Sequence, residues 1–212
     1  MKFIVWPLVV VALAISSSCG HNEFPQYKEK EVITLEKEQG NYRAEFKVLN
    51  KKWAGKVRGY SILWLRGNQF YTRVSITTRM PYVQHLQYIH MGTKCPDRTS
   101  DINQDGIIDF NEVQVSSGRI LVPLDGDLAT QAGGTDGFPR ADEEGAYVYY
   151  RAASFRELMM DLRGIPNHQY GKIPEGGEIK LQERVIVIYG TSDSMTVPIA
   201  CGEIFEDYDA EE

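Results

Sequence analysis

Histidine is scarce in this chain, with four in 212 residues. Neither a Ser/His/Asp nucleophile pattern, nor an HExxH helix, nor a phosphate-cradling glycine loop is present, so the common hydrolase and nucleotide chemistries lack their signatures. Cysteine is as sparse, at three, and none of the three sits in a C-x-x-C pair. That spacing argues against a zinc knuckle or a thioredoxin-type redox site. Basic charge is in deficit: 23 Lys and Arg face 29 Asp and Glu, a net −6. An acidic chain is a poor match for a polyanion, so no nucleic-acid partner is expected. Long hydrophobic runs are missing too, apart from one at the start.

That run is "MKFIVWPLVVVALAISSSCG". Lys2 precedes an apolar stretch too short to span a bilayer comfortably, and small residues follow it, the layout of a secretory signal. Cys19 directly after Ser16, Ser17 and Ser18 resembles a bacterial lipobox, in which the cysteine becomes the acylated first residue. Ser16 stands where that motif usually carries Leu, and an ordinary cleavable signal is the competing reading. Removal of the leader takes Lys2 with it, so the mature chain is one unit more negative. The organisation expected is a signal over 1–19, a tether and first strand over 20–39, a β-domain over 40–205 and an acidic tail over 206–212. The location expected is the bacterial cell envelope after export. The membrane is then a partner through a lipid anchor, and an envelope protein complex is a further candidate partner.

One acidic stretch, "SDINQDGIIDFNEV", carries chemistry. Counted from Asp101, it fills every slot of the D-x-[DN]-x-[DN]-G-x5-E calcium loop: Asp101, Asn103, Asp105, Gly106, Ile107, Asp109 and Glu112. Calcium takes about six to eight hard oxygens, so a loop must turn alternate residues inward. Gly106 allows the sharp bend, Ile107 offers its carbonyl and Glu112 closes the shell with two oxygens. Ile108 points away and packs. A solvated acidic turn is the bland reading, since Asp-Gly pairs are common in turns. Ca²⁺ is therefore the expected cofactor. The flanks depart from a paired EF-hand. Upstream, "HMGTKCPDRT" holds no long helix, and downstream "VQVSSGRILVPL" reads as turn then strand. With no second loop in the chain, a clip that stiffens a loop is expected rather than a sensor.

The rest reads as short strands. "YRAEFKVLN", "VRGYSILWL", "FYTRVSITTRM", "LQYIHM", "GRILVPL", "AYVYYRA", "RVIVIYG" and "TVPIACGEI" are rich in Val, Ile, Tyr and Thr, and "EVITLEK" alternates ahead of them. "RGN" between two of them is a hairpin signal. The fold class expected is mainly β, an antiparallel Greek-key sandwich or barrel with one short helix. That helix is "SFRELMMDLRG", with Ser154 and Glu157 as a capping box, an apolar stripe of Phe155, Leu158, Met159 and Leu162, and Gly164 as its stop. Residues 125–145 form a long loop rich in Gly and Asp. With Cys19 set aside, Cys95 and Cys201 are the only intrachain pair, and an oxidising compartment suits a disulfide. A zinc or redox pair is the rival.

Three short segments carry a resemblance. "YIHMGTKC", "RVIVIYG" and "IACGEI" resemble, in order, the copper/zinc superoxide dismutase segments that hold a metal histidine and the first disulfide cysteine, the penultimate strand, and the strand with the second cysteine. The run from Tyr42 to His90 is similar to the CHRD domain. The resemblance implies a dismutase-like or CHRD-like sandwich with Cys95 and Cys201 bridged. It also implies a copper site, but position by position its ligands are Tyr88 and Tyr189 where histidines belong, with only His90 retained. Pro198 stands where the anion-guiding Arg belongs. Copper cycling needs several imidazoles around one ion. The expectation is thus a calcium-binding, non-catalytic envelope lipoprotein with a binding or structural role. The alternative is a transition-metal redox protein of dismutase type using Tyr88, His90 and Tyr189. His85 lies five residues before His90, which on a regular strand puts the two on opposite faces. His168 is expected in an exposed loop.

Overall fold

The computed structural model describes residues 39–50, 52, 57–132, 136–164 and 170–208. The expected signal, Cys19, the expected tether with its first strand "EVITLEK", and His168 lie outside the described residues. Nine strands follow in chain order: β1 Gly40–Glu45, β2 Lys47–Val48, β3 Arg58–Arg66, β4 Gln69–Thr77, β5 Gln87–His90, β6 Ile120–Pro123, β7 Ala146–Ser154, β8 Val185–Tyr189 and β9 Pro198–Glu206. Helix α1 (Phe110–Ser117) lies between β5 and β6, and α2 (Phe155–Leu162) follows β7.

Every strand pairing is antiparallel, and the order is β6-β5-β8-β9-β1-β3-β4-β7, with β2 also on β9. The β5–β8 and β4–β7 pairs each skip strands between them, which interlocks the hairpins in the Greek-key manner. The sheet curls, and its two ends are drawn together by side chains of β7. The Tyr147 hydroxyl donates to Gln87 Oε1 (3.1 Å) on β5, and the Tyr149 hydroxyl donates to the Asp125 carbonyl (2.8 Å) just past β6.

Period-2 patterning builds the main core. On β4, Phe70, Val74 and Ile76 point inward beside Leu63 and Leu65 of β3, while alternate residues face out. The β3–β4 turn is the two residues Gly67 and Asn68, with Gly67 at φ +58°, the left-handed conformation that a tight hairpin demands. Helix α2 lids this core with Phe155, Leu158, Met159 and Leu162, each buried. Its cap is the Ser154 hydroxyl accepting from Glu157 N–H, and it stops at Leu162, with Arg163 as its C-cap and the expected Gly164 directly after.

Strand β8 is buried at all five positions, because both of its faces are covered. Ile186 and Ile188 join the main core; Val185, Val187 and Tyr189 join a second cluster with Ile108, Val113, Phe138 and Cys201. Residues 91–119 therefore form the outer cover of the β5–β8–β9 surface. Main-chain bonds from Met91 N–H to Arg119 O (2.9 Å) and from Gly92 N–H to Ser117 O (2.6 Å) tie its neck.

Two expectations need correction. The described residues contain two α-helices rather than one: α1 occupies the stretch expected as turn and strand, started by a cap at Asp109 and stopped at Gly118, φ +74°. The acidic tail starts one residue later than expected, because Glu206 still pairs with Tyr42 of β1 as the last residue of β9.

Candidate functional site

The loop 101–112 sits between a short 3-10 turn, Arg98–Ser100 capped by Asp97, and helix α1. Its side chains fold inward onto its own main chain. Asp101 accepts from the N–H groups of Asp105 (3.1 Å) and Gly106 (2.9 Å), Asn103 Oδ1 from Asp105 N–H (2.9 Å), and Asp105 from Ile107 N–H (2.8 Å). Glu112 reaches back across the loop, accepting from Ile102 (2.7 Å), Asn103 (3.2 Å) and Asp109 (2.9 Å) N–H groups. Asp109 in turn accepts from Glu112 N–H (2.9 Å), so the residues that start α1 and close the loop are one capping box.

The loop is bolted to the sheet at three places. Asn50, buried after β2, accepts from Ile108 N–H (3.0 Å) and donates to both the Ile108 carbonyl (2.6 Å) and the Pro198 carbonyl (2.9 Å) of β9. Ile108 and Val113 are buried in the second cluster. Cys95, six residues before Asp101, is bridged to Cys201 of β9 across a Cα–Cα distance of 5.7 Å. The expected disulfide is thus present, and the Cys95 N–H also donates to Glu203 Oε1 (3.2 Å).

Does this loop suit a hard cation? Its donor set is oxygen throughout, as calcium requires. Gly106 stands at φ +83° with open space where a Cβ would be, so the turn geometry and not packing demands glycine there. Glu112 is only 4% exposed, yet among the described residues its partners are main-chain N–H groups and no cationic side chain. The Asp109 N–H above all, with those of Asn103 and Ile102, holds its carboxyl below the ordinary glutamate range despite burial. Glu112 Oε1 already accepts two N–H groups, while Oε2 accepts one and keeps a lone pair for an ion. Among the described residues no group of three or more His, Cys, Asp and Glu side chains is arranged to hold a metal, the loop's carboxylates being turned onto N–H groups. The chemistry of the donor set fits calcium, and filling it requires those carboxylates to turn from the main-chain N–H groups towards a common point.

The second cluster holds the residues of the alternative. Tyr88 and His90 alternate on β5, and Tyr189 comes from β8, paired beside it. Their rings converge, with centroids 5.7 Å apart for Tyr88 and Tyr189 and 6.1 Å for His90 and Tyr189. A carbonyl can only accept, so His90 Nδ1 carries the proton given to Gly118 O (2.9 Å), and Nε2 accepts from the Tyr189 hydroxyl (3.0 Å). Burial lowers the His90 pKa to about 4, against the opposing pull of the Gly118 carbonyl, and pushes the Tyr189 and Tyr88 phenols up. His85 is buried on the other side, its Nδ1 donating to the Tyr189 carbonyl (3.1 Å) and its ring stacked on Tyr147 at 5.5 Å. Phe110 of α1 packs on Tyr189 at 5.7 Å, a contact that no sequence pattern signals.

A neutral buried His90 has a consequence for pH. Its folded pKa of about 4 lies below the ordinary 6.5, so between those values the unfolded chain binds the extra proton. Stability is full above pH 6.5 and falls as pH drops towards 4. The melting temperature is expected to fall less steeply over that window in His90→Gln than in the wild type; equal slopes would show that His90 is not buried neutral.

A scan against protein-family models and a search of curated proteins find no match to this chain.

Proposed function

We propose that this is a calcium-stabilised, non-catalytic β-sandwich lipoprotein of the bacterial cell envelope, with a binding or structural role. The observation that carries the reading is Glu112: a buried carboxylate at the closing position of a complete calcium-loop pattern, paired with no cationic side chain among the described residues and anchored on a helix that is part of the core. Bound calcium would be held by Asp101, Asn103, Asp105, Asp109, Glu112 and the Ile107 carbonyl, and would neutralise the loop's charge. The disulfide is compatible with an oxidising compartment, as export implies. Interlocked antiparallel hairpins and a Cys95–Cys201 bridge also support the resemblance to dismutase-like sandwiches, here read as distant kinship without the copper chemistry.

The rival transition-metal reading of Tyr88, His90 and Tyr189 has less support. Both His90 nitrogens are already bonded, and burial keeps the two phenols protonated where a metal would need phenolates. Metal analysis of protein purified without chelator tests both readings: one calcium per chain, lost in Glu112→Gln, supports the proposal, and stoichiometric copper or iron reverses it.

The anchor has its own test. Acyl chains contribute about 0.8 kcal/mol per buried methylene, and two or more hold firmly. The full chain expressed in a bacterium should partition into detergent phase, and Cys19→Ser should move it to the aqueous phase. A wild-type protein recovered free in the medium would end the lipoprotein claim.

A further inference from the structure

A cavity of about 330 Å³ lies between α1 and strands β5 and β8. Tyr88, Phe110, Tyr170 and Tyr189 give it aromatic walls, and Gln114 and Thr196 add an amide and a hydroxyl. Its volume is at the small end of ligand pockets, which suits one ring rather than an extended molecule. No charged side chain is among its lining residues.

The phenols differ in their commitments. The Tyr189 hydroxyl is used by His90 Nε2. The hydroxyls of Tyr88 and Tyr170 show no hydrogen bond to a described residue, and neither oxygen is among the sealed, unpartnered atoms of the described residues, while both side chains line the cavity. Burial first, and the nearby Tyr170 phenol second, hold the Tyr88 hydroxyl protonated, so it can donate.

The lining decides among ligand classes. An ion would be stripped of water with no opposite charge to receive it. A sugar carries hydroxyls on every side, and most would face aromatic carbon, at about 1–3 kcal/mol for each one left unpaired. A plain hydrocarbon would offer nothing to the two phenol hydroxyls. We propose that the cavity binds a small neutral aromatic compound bearing a hydroxyl or carbonyl group. Its ring packs on Phe110 and Tyr189 in edge or offset geometry, and its oxygen bonds Tyr88 and Tyr170.

The probe is p-cresol, with toluene as its counterpart lacking oxygen, titrated into the mature wild-type chain by calorimetry and aromatic NMR. Saturable one-to-one binding of p-cresol, tighter than toluene, is expected, with shifts in the Phe110 and Tyr189 ring signals. Tyr170→Phe removes an oxygen bonded to no described residue, so it should leave the melting temperature unchanged while weakening p-cresol about five- to tenfold, the loss of one hydrogen bond. Gln114→Trp should fill the cavity and abolish binding. The proposal is overturned if p-cresol shows no saturable binding, if toluene binds as tightly, or if both substitutions leave p-cresol affinity unchanged.

Discussion

Calcium at a hundredfold excess over its dissociation constant should raise the melting temperature of the β-domain by about 5–10 °C. An ion that binds only the folded state contributes RT ln(1 + [L]/Kd), about 2.7 kcal/mol at that excess. For a chain of this size each kcal/mol moves the midpoint by about 2–4 °C. Glu112→Gln should remove most of the rise, since the amide keeps one acceptor for the loop's N–H groups but loses the second ligand oxygen and the charge. Asp101→Ala should act likewise. The response should be stiffening without opening. Helix α1 has eight residues, its Val113 is buried against β8, and its base is tied at Gly92–Ser117. A calcium titration of the melting curve with far-ultraviolet dichroism and an apolar dye measures both halves. No shift with calcium would remove the site, and strong dye binding on calcium addition would mark a sensor.

Replacing both cysteines, Cys95→Ser with Cys201→Ser, should destabilise the domain by about 2–5 kcal/mol, the usual range for a native exported disulfide. The bridge closes 106 positions of chain, a separation at which constraint of the unfolded state is large. Cys201 is fully buried beside Val187 and Tyr189, so its hydroxyl replacement adds the cost of a polar group in an apolar cluster. The effect should extend to the loop, because Cys95 fixes its entry while Asn50 holds only its eighth residue. Calcium affinity should therefore fall in the double variant even though every loop ligand is intact. Urea unfolding at fixed calcium, with thiol labelling of the wild type, provides the check. Unchanged unfolding midpoints, or two reactive thiols in the native protein, would count against it.

Which strands form was written in local pattern. Alternation over "FYTRVSITTRM" and "VRGYSILWL" places β4 and β3 and the hairpin between them, and the stripe in "SFRELMMDLRG" places α2 with its buried face. These are nearest-neighbour effects, and a single chain suffices to read them. Helix α1 was not legible in that way. "VQVSS" is rich in residues that cost helix propensity, and the capping box that starts α1 uses the same Asp109 and Glu112 as the calcium pattern. Asn50 was invisible too: it lies 58 positions from Ile108, and nothing around it marks it as a clamp.

By itself, then, the sequence determined the β class, the hairpins, the composition of the loop and the two cysteines available to pair, because each depends on residue type and short spacing. Only the tertiary structure decided what these parts do together. Strand pairing sets β5 beside β8, which brings His90 and Tyr189 within hydrogen-bond distance across 99 positions and makes Tyr88 their neighbour. The outer face of that pair needed an apolar cover, and residues 91–119 supply it, so the acidic loop is carried on the core and not hung from the surface. The physical reason is that long-range burial depends on which faces remain uncovered after the sheet has formed. Short spacing cannot encode that.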